Sequence, residues 1–219
     1  MVNPQRETER LEYFSDAVIA IAATLLSVDL KAPRGDTLSG TTLLEALVQQ
    51  WPSYLAFAVS FLFIGISWAA HHDMFNYIRR TNHIMLILNL MFLMGIVLQP
   101  FSTALLAEHI GEEGERTAAM VFYGVLLLTS VSYNAVWHYA IWRGLIEDCL
   151  DARLLRALSI EHAVAPLLHL SALLVAFWSV PLSLIPVLLL YVFFALPRVA
   201  ERLIVGGRQI PGFGEGLEQ

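Results

Sequence analysis

The stretch Arg10-Leu11-Glu12-Tyr13-Phe14-Ser15-Asp16 runs without a break into the apolar sequence Ala17–Leu30. An arginine, a serine and an aspartate therefore stand at the mouth of a segment as long as a bilayer span, which takes about 17–25 residues of helix. Ionisable groups in that position are costly, so by default they either bind helices together or take part in function.

The rest of the chain has the same character. Of its 219 residues, 57% are hydrophobic and 15% charged, with a mean hydropathy of +0.63. Soluble domains hold about 45–50% apolar and about 25% charged residues, so the class is an all-α membrane protein. A formal charge of −6 argues against a nucleic-acid partner, which favours basic patches. One cysteine, Cys149, excludes an internal disulfide framework and a cysteine-rich metal centre. The first apolar run lacks a basic lead and an Ala-x-Ala-like site, which makes it a retained span rather than a cleaved signal.

Six transmembrane helices are predicted at about 13–30, 52–70, 84–107, 117–142, 160–180 and 182–196, within one unit covering 1–205. The glycine-rich stretch 206–219 is expected to be a short disordered tail. Only Ser179-Val180-Pro181 separates the last two spans, and Pro186 interrupts the sixth. One broken helix or a re-entrant pair therefore competes over 160–197. With both termini cytoplasmic, the inner segments hold Arg6, Arg10, Arg79, Arg80, Arg143, Arg153, Arg156, Arg198, Arg202 and Arg208, against Lys31, Arg34 and Arg116 outside. The excess of basic residues inside sets that orientation. It also favours an even number of spans and turns Glu112, Glu113 and Glu115 outward.

On the first helix, Phe14, Val18, Ile21, Leu25 and Val28 recur at spacings of 4, 3, 4 and 3. Such a narrow seam suits contact with identical helices around an axis, and equally suits ordinary packing or lipid. Asp16, Ala20, Ala23 and Ser27 form a small, polar stripe, which is expected to pack on the chain's own helices. Arg10 and Asp16 lie six residues apart, roughly 240° around a helix, so they do not pair with each other. Phe14 is one turn from Arg10 and within reach of a cation–π contact. A snorkelling arginine with a capping aspartate is the plain alternative.

The second span closes with Trp68-Ala-Ala-His71-His72-Asp73, and Asn89 lies inside the third. Adjacent histidines face different sides of a helix, so no metal site is expected there. Hydrogen bonds from these groups to Ser15 and Asp16 are the better expectation. Asn134, His138, His162 and His169 are expected as satisfied packing residues. Gln99-Pro100-Phe101-Ser102-Thr103 predicts a kink whose freed carbonyls meet Ser102 or Thr103. No nucleophile elbow, phosphate loop or dinucleotide fingerprint occurs, so no enzyme is expected. The Thr-Val-Gly-Tyr-Gly carbonyl filter is also absent, which excludes one filter chemistry only.

Arg10-x-x-x-Phe14-Ser15-Asp16, with Trp68-x-x-His71-His72-x-x-Phe75, Asn89 and Pro100-Phe101, resembles the transmembrane protein 175 family of potassium channels, prokaryotic single-repeat type. The resemblance implies a homotetramer in which the first helix of each subunit lines the pore. Ile21, Leu25 and Val28 would then form a hydrophobic constriction and gate. Thr24 would contribute potassium preference, and Val28 stands where a longer leucine is usual. Arg10, Phe14, Ser15, Asp16, Trp68, His71, His72 and Asn89 would brace the pore helix.

The function implied is a potassium-preferring passive cation channel in a prokaryotic cell membrane. It would need no cofactor, and no metal apart from the permeating potassium ion and other monovalent cations. A proton-coupled transporter using Asp16 and the His71/His72 pair, and a non-conducting membrane scaffold, remain the alternatives.

Overall fold

A computed structural model describes residues 4–33, 42–146 and 150–195. The expected tail at 206–219 lies outside the described residues, as do the arginines at 198, 202 and 208. Everything regular among the described residues is helical. The helices are α1 (Pro4–Leu25, continued by a 3-10 turn Leu26–Asp29), α2 (Leu43–Gln49), α3 (Trp51–Tyr77), α4 (His83–Glu108), α5 (Glu115–Trp142), α6 (Ala152–Ala176) and α7 (Val180–Ala195).

Five of them, α1, α3, α4, α5 and α6, are long and apolar enough to cross a membrane, and α7 is a shorter apolar helix. Together they make a multi-pass membrane protein. The helices overrun the predicted spans where polar residues masked their helicity. α3 runs through His71-His72-Asp73 to Tyr77, and its 27 residues extend roughly 40 Å, beyond a hydrocarbon core of about 30 Å. α6 starts eight residues before the expected 160, where the Asp151 side chain accepts from the Arg153 amide as an N-cap. It ends at Ala176, and α7 begins at Val180. The Ser179-Val180-Pro181 signal therefore separates two helices. α2 was not expected as a helix. It has a capping box in which the Thr42 side chain accepts from the Glu45 amide and Glu45 reaches back to the Thr42 amide. The Thr42 amide and the Thr42 hydroxyl both donate to the Glu45 carboxylate and hold it below its ordinary value.

Packing is organised around α4. It lies against α1 and α3 on one side and most extensively against α5 on the other, while α6 joins α5 to α7. At Gly95 on α4, a β-carbon would come within 3.0 Å of the Thr129 backbone and overlap the Thr129 hydroxyl. The α4–α5 approach thus depends on that missing side chain. The core between these helices contains Phe92, Ile96, Tyr123, Leu126 and Trp137.

Two prolines inside helices leave carbonyls without an amide partner, because an imide nitrogen cannot donate to the residue four back. Pro166, not singled out above, frees the His162 carbonyl, and Asn134 Nδ2 donates to it at 2.8 Å. Pro100 frees the Ile96 carbonyl, but Ser102 and Thr103 do not fill that role. The Ser102 hydroxyl donates to the Gln99 carbonyl at 3.0 Å. Thr103 Oγ1 instead meets the Ser60 hydroxyl on α3 and accepts from Gln99 Nε2. The expected repair at Pro100 is replaced by a cross-link between α3 and α4.

Candidate functional site: the faces of the first helix

The inward face of α1 is Leu11, Ser15, Ile19, Ala22 and Leu26, all buried. This corrects the expectation that the small stripe Asp16, Ala20, Ala23 and Ser27 packs inside, because Ala20 and Ser27 are exposed. Larger side chains fill the space instead, and Ser15 supplies the polar anchor.

Ser15 is the first member of a fully buried chain of hydrogen bonds. Its hydroxyl donates to the Leu11 carbonyl at 2.8 Å and accepts from Asn89 Nδ2 at 2.8 Å. Asn89 Oδ1 lies 2.9 Å from His71 Nε2. Since the amide nitrogen donates to serine, its oxygen must accept, which assigns the histidine proton to Nε2. The His71 ring is stacked between Phe75 at 4.4 Å and Phe92 at 5.2 Å. Its Nδ1 is buried without a hydrogen-bond partner. One side chain each from α1, α4 and α3 is thereby locked at a single level of the bundle.

A second set of contacts lies nearer the surface and joins α1 to α3 alone. Trp68 Nε1 donates to Asp16 Oδ1 at 2.9 Å, and His72 Nδ1 lies 3.1 Å from Glu12 Oε1. Glu12 and Asp16 are one turn apart on α1, and Trp68 and His72 one turn apart on α3, so the antiparallel helices meet in two rungs. The Trp68 and His72 rings stack at 6.0 Å with planes 20° apart. Adjacent histidines do face different sides: His71 is buried, while the His72 side chain is 48% exposed. Glu12 was absent from the sequence reading. The matched one-turn spacings of Glu12/Asp16 and Trp68/His72 were the signal that could have found it.

Arg10 and Phe14 stand apart from both sets. Arg10 is exposed, Phe14 is 51% exposed, and among the described residues no cation–π contact joins them. Phe14 belongs with Ile21 at 59%, Leu25 at 47% and Val28 at 72% exposure. Val18 alone of the seam is partly packed against the core. The face of α1 carrying Phe14, Ile21, Leu25 and Val28 is thus uncovered by the other described residues.

At the C-terminal end of this face, the Thr24 hydroxyl donates to the Ile21 carbonyl at 2.8 Å and the Ser27 hydroxyl to the Thr24 carbonyl at 2.8 Å. Back-bonding of this kind tightens a helix, and here the α-helix passes into the 3-10 turn that carries Val28. Both lone pairs of the exposed Thr24 oxygen are left as acceptors. Lys31 Nζ pairs with Glu108 Oε1 at 3.1 Å, tying the segment after the turn to the end of α4.

The later polar residues are only partly satisfied. Tyr133 donates to the Ala70 carbonyl at 2.9 Å and lies 3.1 Å from His162 Nε2. His169 Nδ1 meets the Ser130 hydroxyl at 3.1 Å. His162 Nδ1 and His169 Nε2 are buried and unpaired. No cluster of three or more His, Cys, Asp or Glu side chains suited to a metal occurs among the described residues.

This arrangement has relatives. The family model described as endosomal/lysosomal potassium channel TMEM175 matches residues 10–100, which contain both faces of α1 described above. A potassium channel of Streptomyces collinus is 39% identical over 195 residues, covering 88% of this chain and 94% of that one. The chain belongs to the TMEM175 family. The crystal structure of a lysosomal potassium-selective channel TMEM175 homologue from Chamaesiphon minutus has the same fold, with a TM-score of 0.78 and 37% identity. It covers 88% of this chain and 98% of its own. The endosomal/lysosomal proton channel TMEM175 of Gallus gallus is 36% identical over 141 residues, 61% of this chain and 28% of that protein. TMEM175 proteins are described as ion channels, and the family is not one of enzymes.

Proposed function

We propose that this TMEM175 protein is a passive, potassium-preferring cation channel of a prokaryotic cell membrane, built as a homotetramer with both termini cytoplasmic. The observation that carries the reading is the exposure of Phe14, Ile21, Leu25 and Val28 on a face of α1 roughly 110° around the helix from its buried anchor. Four such faces around one axis form an ion path whose narrowest rings are Ile21, Leu25 and Val28. Apolar rings do not replace an ion's hydration shell, so they gate by dewetting and discriminate weakly. The Thr24 oxygen, with both lone pairs open, supplies a ligand beside those rings and is the residue assigned to potassium preference. Val28 lies in the 3-10 turn, so its ring is set by the turn rather than by the helical phase of Ile21 and Leu25.

In this reading the costly polar residues are not on the ion path. Ser15, Asn89 and His71, with Asp16 and Trp68, hold α1 at a fixed rotation on α3 and α4. Arg10, exposed and without a partner among the described residues, is directed to a neighbouring subunit or to lipid headgroups.

The buried, unpaired Nδ1 of His71 favours a second reading, a proton-coupled transporter using Asp16 and the histidine pair. Potassium flux in proteoliposomes separates the readings. The channel predicts flux driven by the potassium gradient alone, with a measurable reversal potential. The transporter predicts flux that needs a proton gradient and is lost in Asp16→Asn while the oligomer persists. Absence of flux from a correctly assembled oligomer contradicts both and leaves a scaffold.

A further inference from the structure

Glu12 lies outside the residues to which a role has been given so far, and its rung with His72 differs from the neighbouring contacts in kind. The Ser15–Asn89–His71 chain is buried, and Asp16 is held by an indole that does not titrate. Glu12 and His72 are both ionisable, meet at 3.1 Å, and are partly open to solvent at 23% and 48% exposure. The His72 ring stacks on Trp68, which holds Asp16. A change at His72 therefore reaches both rungs between α1 and α3.

We infer that Glu12 is a positioning residue for the ion path, acting through His72 so that the seating of α1 on α3 follows the pH on the side of the membrane where the N-terminus lies. This rests on the assignment of α1 to the pore. A histidine changes charge between about pH 5 and 8. With the imidazole protonated the rung is a charge-assisted bond between imidazolium and carboxylate, and with it neutral a weaker one. Acid therefore tightens the rung until the carboxylate itself takes a proton.

The charged and titratable groups along the facing stretches of the surrounding elements include Arg6, Glu7, Glu9, Arg10, Glu12 and Asp16 on α1, and His83 at the start of α4. His71 and Asp73 flank His72 on α3. Among the described side chains of this group only Glu12 is in hydrogen-bond contact with His72.

The test compares potassium flux through the oligomer in liposomes at about pH 6 and about pH 8 on the N-terminal side. The variants are Glu12→Gln, His72→Gln and the exchange Glu12→His with His72→Glu. Wild-type flux is expected to differ between the two conditions by about two- to fivefold, the range an exposed ion pair supports. Each single variant should abolish the difference, and the exchange should restore it. A role in folding alone would not give a pH response that the exchanged pair recovers. Retention of the wild-type pH response by Glu12→Gln overturns the inference.

A second readout does not depend on conduction. The melting temperature of the oligomer in detergent should vary across the same pH range in wild type, and less so, by equal amounts, in the two single variants. If wild type carries no potassium at either pH, the pore assignment fails, and with it the positioning role. Equal loss of the melting response then still supports titration of the rung, and its retention in Glu12→Gln refutes that too.

Discussion

Asn89 illustrates how a single side chain fixes the pore-facing helix. Its amide donates to Ser15 on α1 and accepts from His71 on α3, so replacing it leaves the buried His71 without any hydrogen bond and strips Ser15 of its donor. Asn89→Leu is expected to destabilise the protein by about 1–3 kcal/mol in detergent unfolding. Ser15→Ala removes one bond between helices and one within α1, to the Leu11 carbonyl, and should cost about 0.5–1.7 kcal/mol, the scale of hydrogen bonds between membrane helices. Equal costs for the two would contradict the chain of bonds described. The motif at Phe14-Ser15-Asp16 made Ser15 and Asp16 legible in the sequence, and the polarity of Asn89 and His71 inside spans did the same for them. Glu12 was passed over, because a glutamate just before a predicted span is ordinary until its one-turn spacing from Asp16 is matched to that of Trp68 and His72. The buried face Leu11–Ser15–Ile19–Ala22–Leu26 escaped for a related reason: small residues were expected inside, yet space between helices decides which residues fill it.

Helix contacts bring out two sites where one atom governs an element. Gly95→Ala would push a methyl group into Thr129 and force α4 away from α5, at a cost of about 1–3 kcal/mol. Gly65→Ala meets no atom within 4 Å and should gain up to about 1 kcal/mol from helix propensity. A thermal-unfolding comparison of the two checks the α4–α5 approach. The Asn134–His162 contact is similarly conditional. Asn134→Leu is expected to cost about 1–2 kcal/mol, because the carbonyl freed by Pro166 loses its donor. In a Pro166→Ala background the restored amide takes over that carbonyl, and the cost of Asn134→Leu should fall by half or more. Additive costs in the double-mutant cycle would show that Asn134 acts elsewhere. Helix existence was well signalled by apolar runs, and the break before Pro181 by turn residues. Helix ends were not, since α3 and α6 continue through histidines and arginines that a hydropathy window counts against them.

At the scale of the molecule, the bundle divides α1 between inside and outside. One face carries the polar anchor, and a second face roughly 110° around the helix presents Phe14, Ile21, Leu25 and Val28 away from the other described residues. The heptad-like spacing of that seam was visible in the sequence, but spacing alone could not separate pore, packing and lipid contact, since all three accept the same apolar residues. The fold removes packing against the other described residues from that choice, and membership of the TMEM175 family supports the pore. The most direct measurement is the conductance and reversal potential of Ile21→Asn, Leu25→Asn and Val28→Asn under a potassium–sodium gradient. The account predicts that wetting an apolar ring raises conductance and lowers potassium preference at one or more of these sites. Unchanged conductance and reversal potential in all three variants would contradict the assignment of this face to the ion path.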